Sequence, residues 1–544
     1  MSIVTENALT GEDPAQISID GVGDTTNLGF AREFSVNVGE TINFSCHGTG
    51  TVLDIYRIGY YGGSGWRKVT TITNTATSQP DPTTVTGTNG ATTCTNWSTT
   101  ASWAVPSGTT SGLFVGVYRN LAGNNASYIP FVVTNDALVA DIVVKTSDST
   151  WALAYNYYGT PASPLTGKSV YGSGGPIAGT GGAGNRSHYG SYHRPIVTRT
   201  GVWQTYWLNA EAPLIHFLER NGYNVKYVSS KDLDADPTIL DNAKVFISSG
   251  HDEYWSDGMR NAVEAFRDAG GHCLFMSGNE VFWRIRYDAG RNGMYCFKDS
   301  LAGPGSHVAG TPLDPISWTG TWKDTRWANR KPENLLTGTD FRMNGVQNKT
   351  PVLSSGAAFA SHPVWRNSAL LSANQTLTNV VGFEADAMLP VQTAPSAVIL
   401  AAQSFNIDGS YANDNGSDYS GNGTLVWGVV SQRYPSGAVV VGFGTCQWAW
   451  ALDAAHDREV TPVNAAAQQF TINLLRDLGA APATLMAGMT LSAPVSLDSY
   501  GTDPDGDPIP DPTPEEVQLI RNGNGVSHRL FNYAGQEMEA RRRV

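Results

Sequence analysis

The sequence predicts a chain of the α/β plus β class, in which a β-sandwich is followed by an α/β domain with a β-rich insertion and an extended C-terminal tail. Its 544 residues suffice for two to four domains. Glycine contributes 59 residues and only 15% of residues are charged, a composition typical of β-rich proteins with many loops. Near residue 138 the hydrophobic pattern changes from short alternating runs to strands that alternate with helices.

Residues 1–137 are predicted to form an immunoglobulin-like β-sandwich. Short alternating or apolar runs begin at Phe34, Asp54, Leu113 and Ile129 and are bounded by glycine or polar turns. Strands of this length and spacing, with no helical period between them, are typical of two packed antiparallel sheets.

The five cysteines are too few for a disulfide-rich scaffold and form no cluster with zinc-ligand spacing. Cys46 and Cys94 both lie in the predicted sandwich, with Trp66 between them, so they could bridge its two sheets. The alternative, which we favour, is two free thiols that pack as small apolar side chains.

Residues 138–490 are predicted to form an α/β domain with a parallel sheet. Continuous apolar runs, which are typical of buried strands, alternate here with helical patterns. The predicted strands are 140–145, 224–228, 244–248, 272–276 and 438–444, and the predicted helices are 212–221, 259–267 and 464–478. Residues 300–430 are rich in Gly, Asn and Trp and carry few helix signals, which indicates a β-rich insertion.

Residues 491–544 are predicted to form an acidic, proline-rich linker and a tail that anchors the chain to an assembly. The linker holds an Asp-Pro-Asp-Gly-Asp core from residue 503, but its glycine is misplaced for an EF-hand loop, so calcium is not expected there. Alone, the tail has too little apolar surface to offset the entropy of ordering. The predicted anchors are Val517, Leu519, Ile520, Leu530, Phe531, Tyr533 and the basic run Arg541 to Arg543.

Charge and hydropathy exclude two classes of protein. The formal net charge of −13 argues against a nucleic-acid binder, which needs a basic face to meet phosphates. No apolar run approaches the roughly 18 residues that a membrane span requires. The first residues lack the basic and apolar regions of a signal peptide, so we expect no Sec-type export.

Two predicted strands end in turns that place polar side chains at the carboxyl edge of the sheet, where open α/β sheets bind ligands. The first turn carries His251 and Glu253, and the second carries Asn279 and Glu280. A histidine and a carboxylate two residues apart could serve as base and metal ligand, or could cap a helix and favour its dipole. No serine or cysteine lies in a nucleophile elbow, which disfavours acyl-enzyme chemistry.

Three ordered motifs make the chain resemble the large subunit of N,N-dimethylformamidase and its relatives. They are Trp-Ala-Leu-Ala-Tyr-Asn-Tyr-Tyr-Gly from residue 151 with Ser-Val-Tyr at 169–171, Ser-Gly-His-Asp-Glu-Tyr-Trp-Ser from 249, and Ser-Gly-Asn-Glu-Val-Phe-Trp-Arg from 277. The segment Asp-Ile-Tyr-Arg-Ile-Gly-Tyr-Tyr-Gly-Gly from 54 resembles the sandwich that precedes this domain. The resemblance covers roughly residues 30–480 and implies a glutamine-amidotransferase-like α/β domain.

The same resemblance implies hydrolysis of a small amide at a mononuclear iron held by two tyrosines and one glutamate. The matching ligand positions are Tyr155, Tyr171 and Glu253. Two phenolates and a carboxylate are hard oxygen donors that suit a ferric ion. His251 would take a proton, Asn279 would donate to the developing oxyanion, and Glu384 would orient the water or the amide nitrogen.

Alternatives remain open at this site. Because the two tyrosines are close in sequence, Tyr157 or Tyr158 could replace Tyr155 as a ligand. Both Tyr155 and Tyr171 could instead be core aromatic residues whose hydroxyls are satisfied locally. The glycine-rich residues 172–190 could form a mobile lid or a plain surface loop.

The organisation of the whole chain is similar to that of minor tail proteins of tailed bacteriophages, chiefly those that infect actinobacteria. We therefore expect a virion component, exposed on the tail and oligomeric there, whose amidase-like domain contacts the host surface or hydrolyses an amide. Its partners would be other tail subunits, reached through residues 491–544, and host cell-wall components. The alternative is a soluble, cytoplasmic, iron-dependent amidohydrolase that acts on small amides.

Overall fold

The computed structural model describes the chain in full except for eleven short or terminal segments. These are residues 13–18, 121–125, 176–184, 302–312, 346, 389–396, 414–417, 420, 502–529, 532–536 and 539–544. The described residues form several β-sheets with few helices, so the prediction of a β-rich chain is confirmed.

Two sheets dominate the N-terminal region. The five-stranded sheet has the order Ser35–Asn37, Ala126–Thr134, Gly112–Arg119, Val52–Ile58 and Trp66–Thr73, and the three-stranded sheet has the order Leu28–Ala31, Thr41–His47 and Ala101–Ala104. Phe44, Leu53 and Phe131 belong to one fully buried cluster shared by the two sheets. Cys46 is part of this cluster, and all five cysteines of the chain are buried free thiols.

A nine-stranded sheet forms the centre of the molecule. Its order is Val225–Val228, Ile142–Lys145, Val245–Gly250, His272–Ser277, Val439–Gly442, Gly421–Arg433, Ala397–Tyr411, Thr339–Met343 and Ala385–Met388. The first five strands pair in parallel and the remaining four pair antiparallel. The parallel part contains all five predicted strands. Strands of the predicted insertion, 300–430, do not fold apart but extend this same sheet.

Smaller sheets and helices surround the central sheet. A four-stranded sheet has the order Tyr189–Ser191, Gly293–Tyr295, Trp283–Tyr287 and Tyr254–Ser256. Two-stranded pairs are Thr83–Thr84 with Thr92–Thr93, Lys168–Ser169 with Gly172–Ser173, Val352–Leu353 with Gln375–Thr376, and Leu530–Phe531 with Glu537–Met538. The α-helices are Ile3–Asn7, Thr198–Gly201, Glu211–Arg220, Ser230–Ala235, Asp257–Asp268, Asn334–Thr337 and Ala465–Asp477, and Ser149–Ala154 is a π-helix.

One face of the five-stranded N-terminal sheet packs against the three-stranded sheet, and the other face packs against the central body, which is the part of the molecule built around the nine-stranded sheet. One hydrophobic cluster runs through the five-stranded sheet and the central body. The helix Glu211–Arg220 lies at this junction, where Glu219 accepts two hydrogen bonds from Arg57, at 2.7 and 2.9 Å. Tyr227 donates a third hydrogen bond to Glu219, at 2.9 Å. Arg57 and Glu219 are both almost fully buried, so this ion pair lies inside the molecule.

The first part of the predicted tail, residues 491–501, lies against the central body. Tyr500 is fully buried and donates its hydroxyl proton to Asp477 at 2.7 Å. Ser431 and His362 contact the carbonyl oxygens of Tyr500 and Ser499. The calcium-like core from 503 and the side chains of all the predicted anchors lie outside the described residues. Within the described part of the chain, no helix is long and apolar enough to cross a membrane.

Candidate functional site

The candidate site lies at the carboxyl ends of the strands Val245–Gly250 and His272–Ser277. Gly250 has a φ of 81°, a left-handed conformation that lets the chain turn sharply before His251. Gly278 plays a different part, because a Cβ there would lie 2.6 Å from the carbonyl oxygen of Glu384. The glycine therefore allows a segment more than a hundred residues away in sequence to come against this turn.

His251, Asn279 and Glu384 form one hydrogen-bonded cluster. Both His251 Nε2 and Asn279 Nδ2 contact the same oxygen, Glu384 Oε2, at 2.7 and 2.6 Å. All three side chains are buried. Burial opposes a charged imidazole, but the carboxylates of Glu384 and Glu253 outweigh it and raise the pKa of His251. The contact therefore places a proton-binding imidazole directly against a carboxylate with which it can exchange a proton.

Tyr155, Tyr171 and Glu253 also meet beside His251, whose Nε2 lies 3.4 Å from Glu253 Oε2. Tyr155 directly follows the π-helix Ser149–Ala154, and its ring lies 4.6 Å from the ring of Tyr171 and 5.6 Å from that of His251. The Tyr171 hydroxyl donates to Glu253 Oε1 and Oε2, at 2.9 and 3.2 Å. Burial and the Glu253 carboxylate raise the pKa of both phenols well above the ordinary value.

Glu253 is held from two directions. Its backbone N–H donates to Thr150 Oγ1 at 3.1 Å, and its Oε1 accepts a hydrogen bond from the indole of Trp283 at 2.7 Å. Burial raises the pKa of this carboxyl, although His251 and Lys298 act in the opposite sense. A buried cluster of ionisable oxygens with raised pKa values becomes more stable when a cation neutralises it.

These three residues fit a ferric ion on chemical grounds. All of their donor atoms are hard, ionisable oxygens, and Tyr171 and Glu253 are already in hydrogen-bond contact. Asn279 Oδ1 and His251 Nδ1 are buried and have no hydrogen-bond partner among the described residues, so the cluster has polar capacity left for a ligand. No group of three or more His, Cys, Asp or Glu in the described ranges is arranged for a metal, so the tyrosines are essential to the fit.

Comparison with known proteins gives the family of the chain. The family model described as "N,N-dimethylformamidase beta subunit-like, C-terminal" matches residues 52–461, well over half of the chain. The chain belongs to this dimethylformamidase-like family. A stretch of 108 residues, 19% of the chain, is 28% identical to the N,N-dimethylformamidase beta subunit of Alcaligenes sp and spans only 14% of that protein. The family resemblance read from the motifs is thus confirmed.

Within this dimethylformamidase-like chain, the structure separates the alternative tyrosines. Tyr157 and Tyr158 pack in a different cluster with Phe30 and Trp97, while Tyr155 alone of the three faces Tyr171. The middle of the glycine-rich loop, residues 176–184, lies outside the described residues, so its role as a lid stays a prediction.

The sequence did not single out two further polar side chains at this site, Tyr254 and Lys298. Tyr254 donates its hydroxyl proton to the Tyr171 hydroxyl at 2.6 Å, and Lys298 Nζ donates to the Tyr254 hydroxyl at 2.6 Å. Burial lowers the pKa of Lys298 to about 8. Tyr254 follows Glu253 in the motif that begins at residue 249, so its position beside a candidate ligand is visible in the sequence. No motif in the sequence surrounds Lys298.

Proposed function

We propose that this protein hydrolyses a small amide at a ferric centre held by Tyr155, Tyr171 and Glu253. The observation that carries the proposal is a continuous series of contacts: Tyr155 packs against Tyr171, and Tyr171 donates to Glu253. His251 then links Glu253 to Glu384. Membership of the dimethylformamidase-like family supports the same activity. The rings of Tyr155 and Phe383 flank His251, at 5.6 and 5.7 Å between centroids, and would enclose the apolar substituents of a small amide.

In the proposed mechanism, the residues that would hold the metal and the residues that move protons have separate roles. When bound, a ferric ion supplies a Lewis acid that polarises the amide carbonyl and acidifies a water molecule. Glu384 orients that water, and the His251–Glu384 pair accepts its proton as oxygen bonds to the carbonyl carbon. The pair then returns the proton to the amide nitrogen as the C–N bond breaks. Asn279 donates from Nδ2 to the oxygen on which negative charge develops.

Metal analysis combined with a hydrolysis assay tests this proposal. Wild-type protein loaded with ferric iron should retain about one ion per chain on gel filtration and release dimethylamine from N,N-dimethylformamide or a related small amide. Glu253→Gln should lose both the iron and the hydrolysis, because a neutral amide replaces a ligand carboxylate. The exposed Glu40→Gln is the matched control and should keep both. A wild-type protein that retains no iron and cleaves none of a panel of small amides refutes the proposal.

We also propose finer descriptions of the fold and the domains. The two N-terminal sheets, with a shared buried cluster, support an immunoglobulin-like sandwich over 1–137. The parallel half of the central sheet supports a glutamine-amidotransferase-like domain over 138–490. The assembly tail stays a proposal over 491–544.

The role as a virion tail component stays a prediction from the organisation of the sequence. Nearly all of residues 502–544, which carry its linker and anchors, lies outside the described residues. Tail partners, host contact, oligomeric state and virion location are therefore proposals that depend on experiment.

A further inference from the structure

A chain of hydrogen bonds runs from Lys298 into the candidate metal site. Lys298 Nζ donates to the Tyr254 hydroxyl, Tyr254 donates to the Tyr171 hydroxyl, and Tyr171 donates to Glu253. The first two distances are both 2.6 Å and the third is 2.9 Å. Every proton in the chain thus points towards the same carboxylate.

The surroundings of Lys298 leave its positive charge without a carboxylate partner among the described residues. Lys145 and Lys323, which are also buried, each form an ion pair, at 2.8 Å with Asp252 and 2.6 Å with Glu333. The ammonium of Lys298 instead lies over three aromatic rings, 3.8 Å from Trp283, 4.1 Å from Tyr171 and 4.9 Å from Tyr254. Cation–π contacts hold such a charge in place without neutralising it.

The backbone conformation that places Lys298 among these rings is strained. Lys298 has a φ of 48°, in the left-handed region that a lysine rarely adopts. Tyr254 and Trp283, two of the rings around it, are paired neighbours in the four-stranded sheet. A strained residue held by a rigid sheet is typical of a group whose position matters for function.

We propose that Tyr254 and Lys298 are positioning residues that hold the oxygen of Tyr171 and set its strength as a ligand. This inference rests on the proposed ferric site. A hydrogen bond from Tyr254 to the Tyr171 oxygen withdraws electron density from the phenolate, and the donor is strengthened when Lys298 donates to Tyr254 in turn.

The test is the visible charge-transfer band that a phenolate gives when it binds ferric iron. In Tyr254→Phe the Tyr171 oxygen loses the hydrogen bond that withdraws its electron density, so the band of the iron-loaded protein should move to longer wavelength. The same oxygen is no longer held in place for the metal, so the iron should bind about tenfold more weakly. Lys298→Met should move the band in the same direction by less. The double variant should match Tyr254→Phe alone, because the lysine acts through the tyrosine. Tyr223→Phe, which removes a buried hydroxyl that has no partner within the described residues, is the control and should leave the band unchanged.

The outcomes separate the two proposals. If the wild-type protein shows no such band, the ferric site itself is refuted and this inference falls with it. If the wild-type band is present and neither single variant moves it, the site stands and the positioning role is refuted. A further shift in the double variant would also overturn the relay, since Lys298 would then act independently. Should Tyr254→Phe fail to fold, the band of Lys298→Met alone decides.

Discussion

The buried ion pair between Arg57 and Glu219 makes the junction of the N-terminal sheets and the central body sensitive to one substitution. Glu219→Gln keeps the size of the side chain but removes the negative charge that faces Arg57. Arg57 is almost fully buried and donates to three backbone carbonyls, those of Thr110, Ser111 and Ile58, as well as to Glu219. Those carbonyls do not neutralise a guanidinium, and the nearby carboxylate of Glu6 is already paired with Arg67. The variant therefore leaves the buried Arg57 without a direct ionic partner.

Removing one partner of a buried pair costs about 3–5 kcal/mol, and the remaining carbonyl contacts place the expected loss near the lower end, at about 3 kcal/mol. The assay is urea unfolding at pH 7, followed by tryptophan fluorescence. Asp20→Asn, which breaks an exposed pair with Arg458, is the control and should leave the midpoint unchanged. The double variant Arg57→Met with Glu219→Gln should regain part of the loss, because it buries no unpaired charge. A Glu219→Gln midpoint equal to that of the wild type would refute the reasoning.

Three further predictions follow from the structure. Burial lowers the pKa of His272 to about 4 from 6.5, so its neutral form contributes stability that is present above pH 6.5 and is lost as the pH falls towards 4. His272→Asn can still accept the backbone N–H of Val439 and should reduce that acid loss by about 2 kcal/mol, measured in melts at pH 7 and pH 4.5. Equal acid losses in the variant and the wild type would contradict this. Asn279→Ala should lower kcat for amide hydrolysis about a hundredfold, measured by amine release, and an unchanged kcat would exclude the oxyanion role. Deleting 502–544 rather than 491–544 keeps Tyr500 in place, so the truncated chain should melt at the wild-type temperature. If the tail is an anchor, the truncated chain should be absent from purified particles. Truncated chains that are incorporated in full amount would refute the anchor.

The parts of the fold that sequence predicted best are those fixed by local pattern. Apolar runs located all five parallel strands, and the helix predicted at 212–221 is Glu211–Arg220 in the structure. The pairing of 300–430 was not predictable in the same way. The strands Ala397–Tyr411 and Gly421–Arg433 join the central sheet through contacts between distant residues, and no short-range pattern encodes such a register.

The candidate site shows the same limit. His251 and Asn279 were located because each follows a strand and a glycine turn. Glu384 is predicted only by the family resemblance. Its backbone comes close to the turn at Gly278 because that glycine has no side chain, and no local sequence pattern encodes this long-range contact. Lys298 gave no signal, because a single lysine in a left-handed conformation resembles any loop lysine until the three rings around it are assembled.

The continuous core across the junction restricts how the molecule can open. Trp66 and Tyr128 of the five-stranded sheet stand in one cluster with Trp207 and Leu214 of the central body, and all four are buried. A hinge motion between the two parts would expose these side chains to water at a cost of about 25 cal/mol for each Å² uncovered. The N-terminal sheets therefore serve as a rigid support for the central sheet, and a separation of the two parts is not an inexpensive motion.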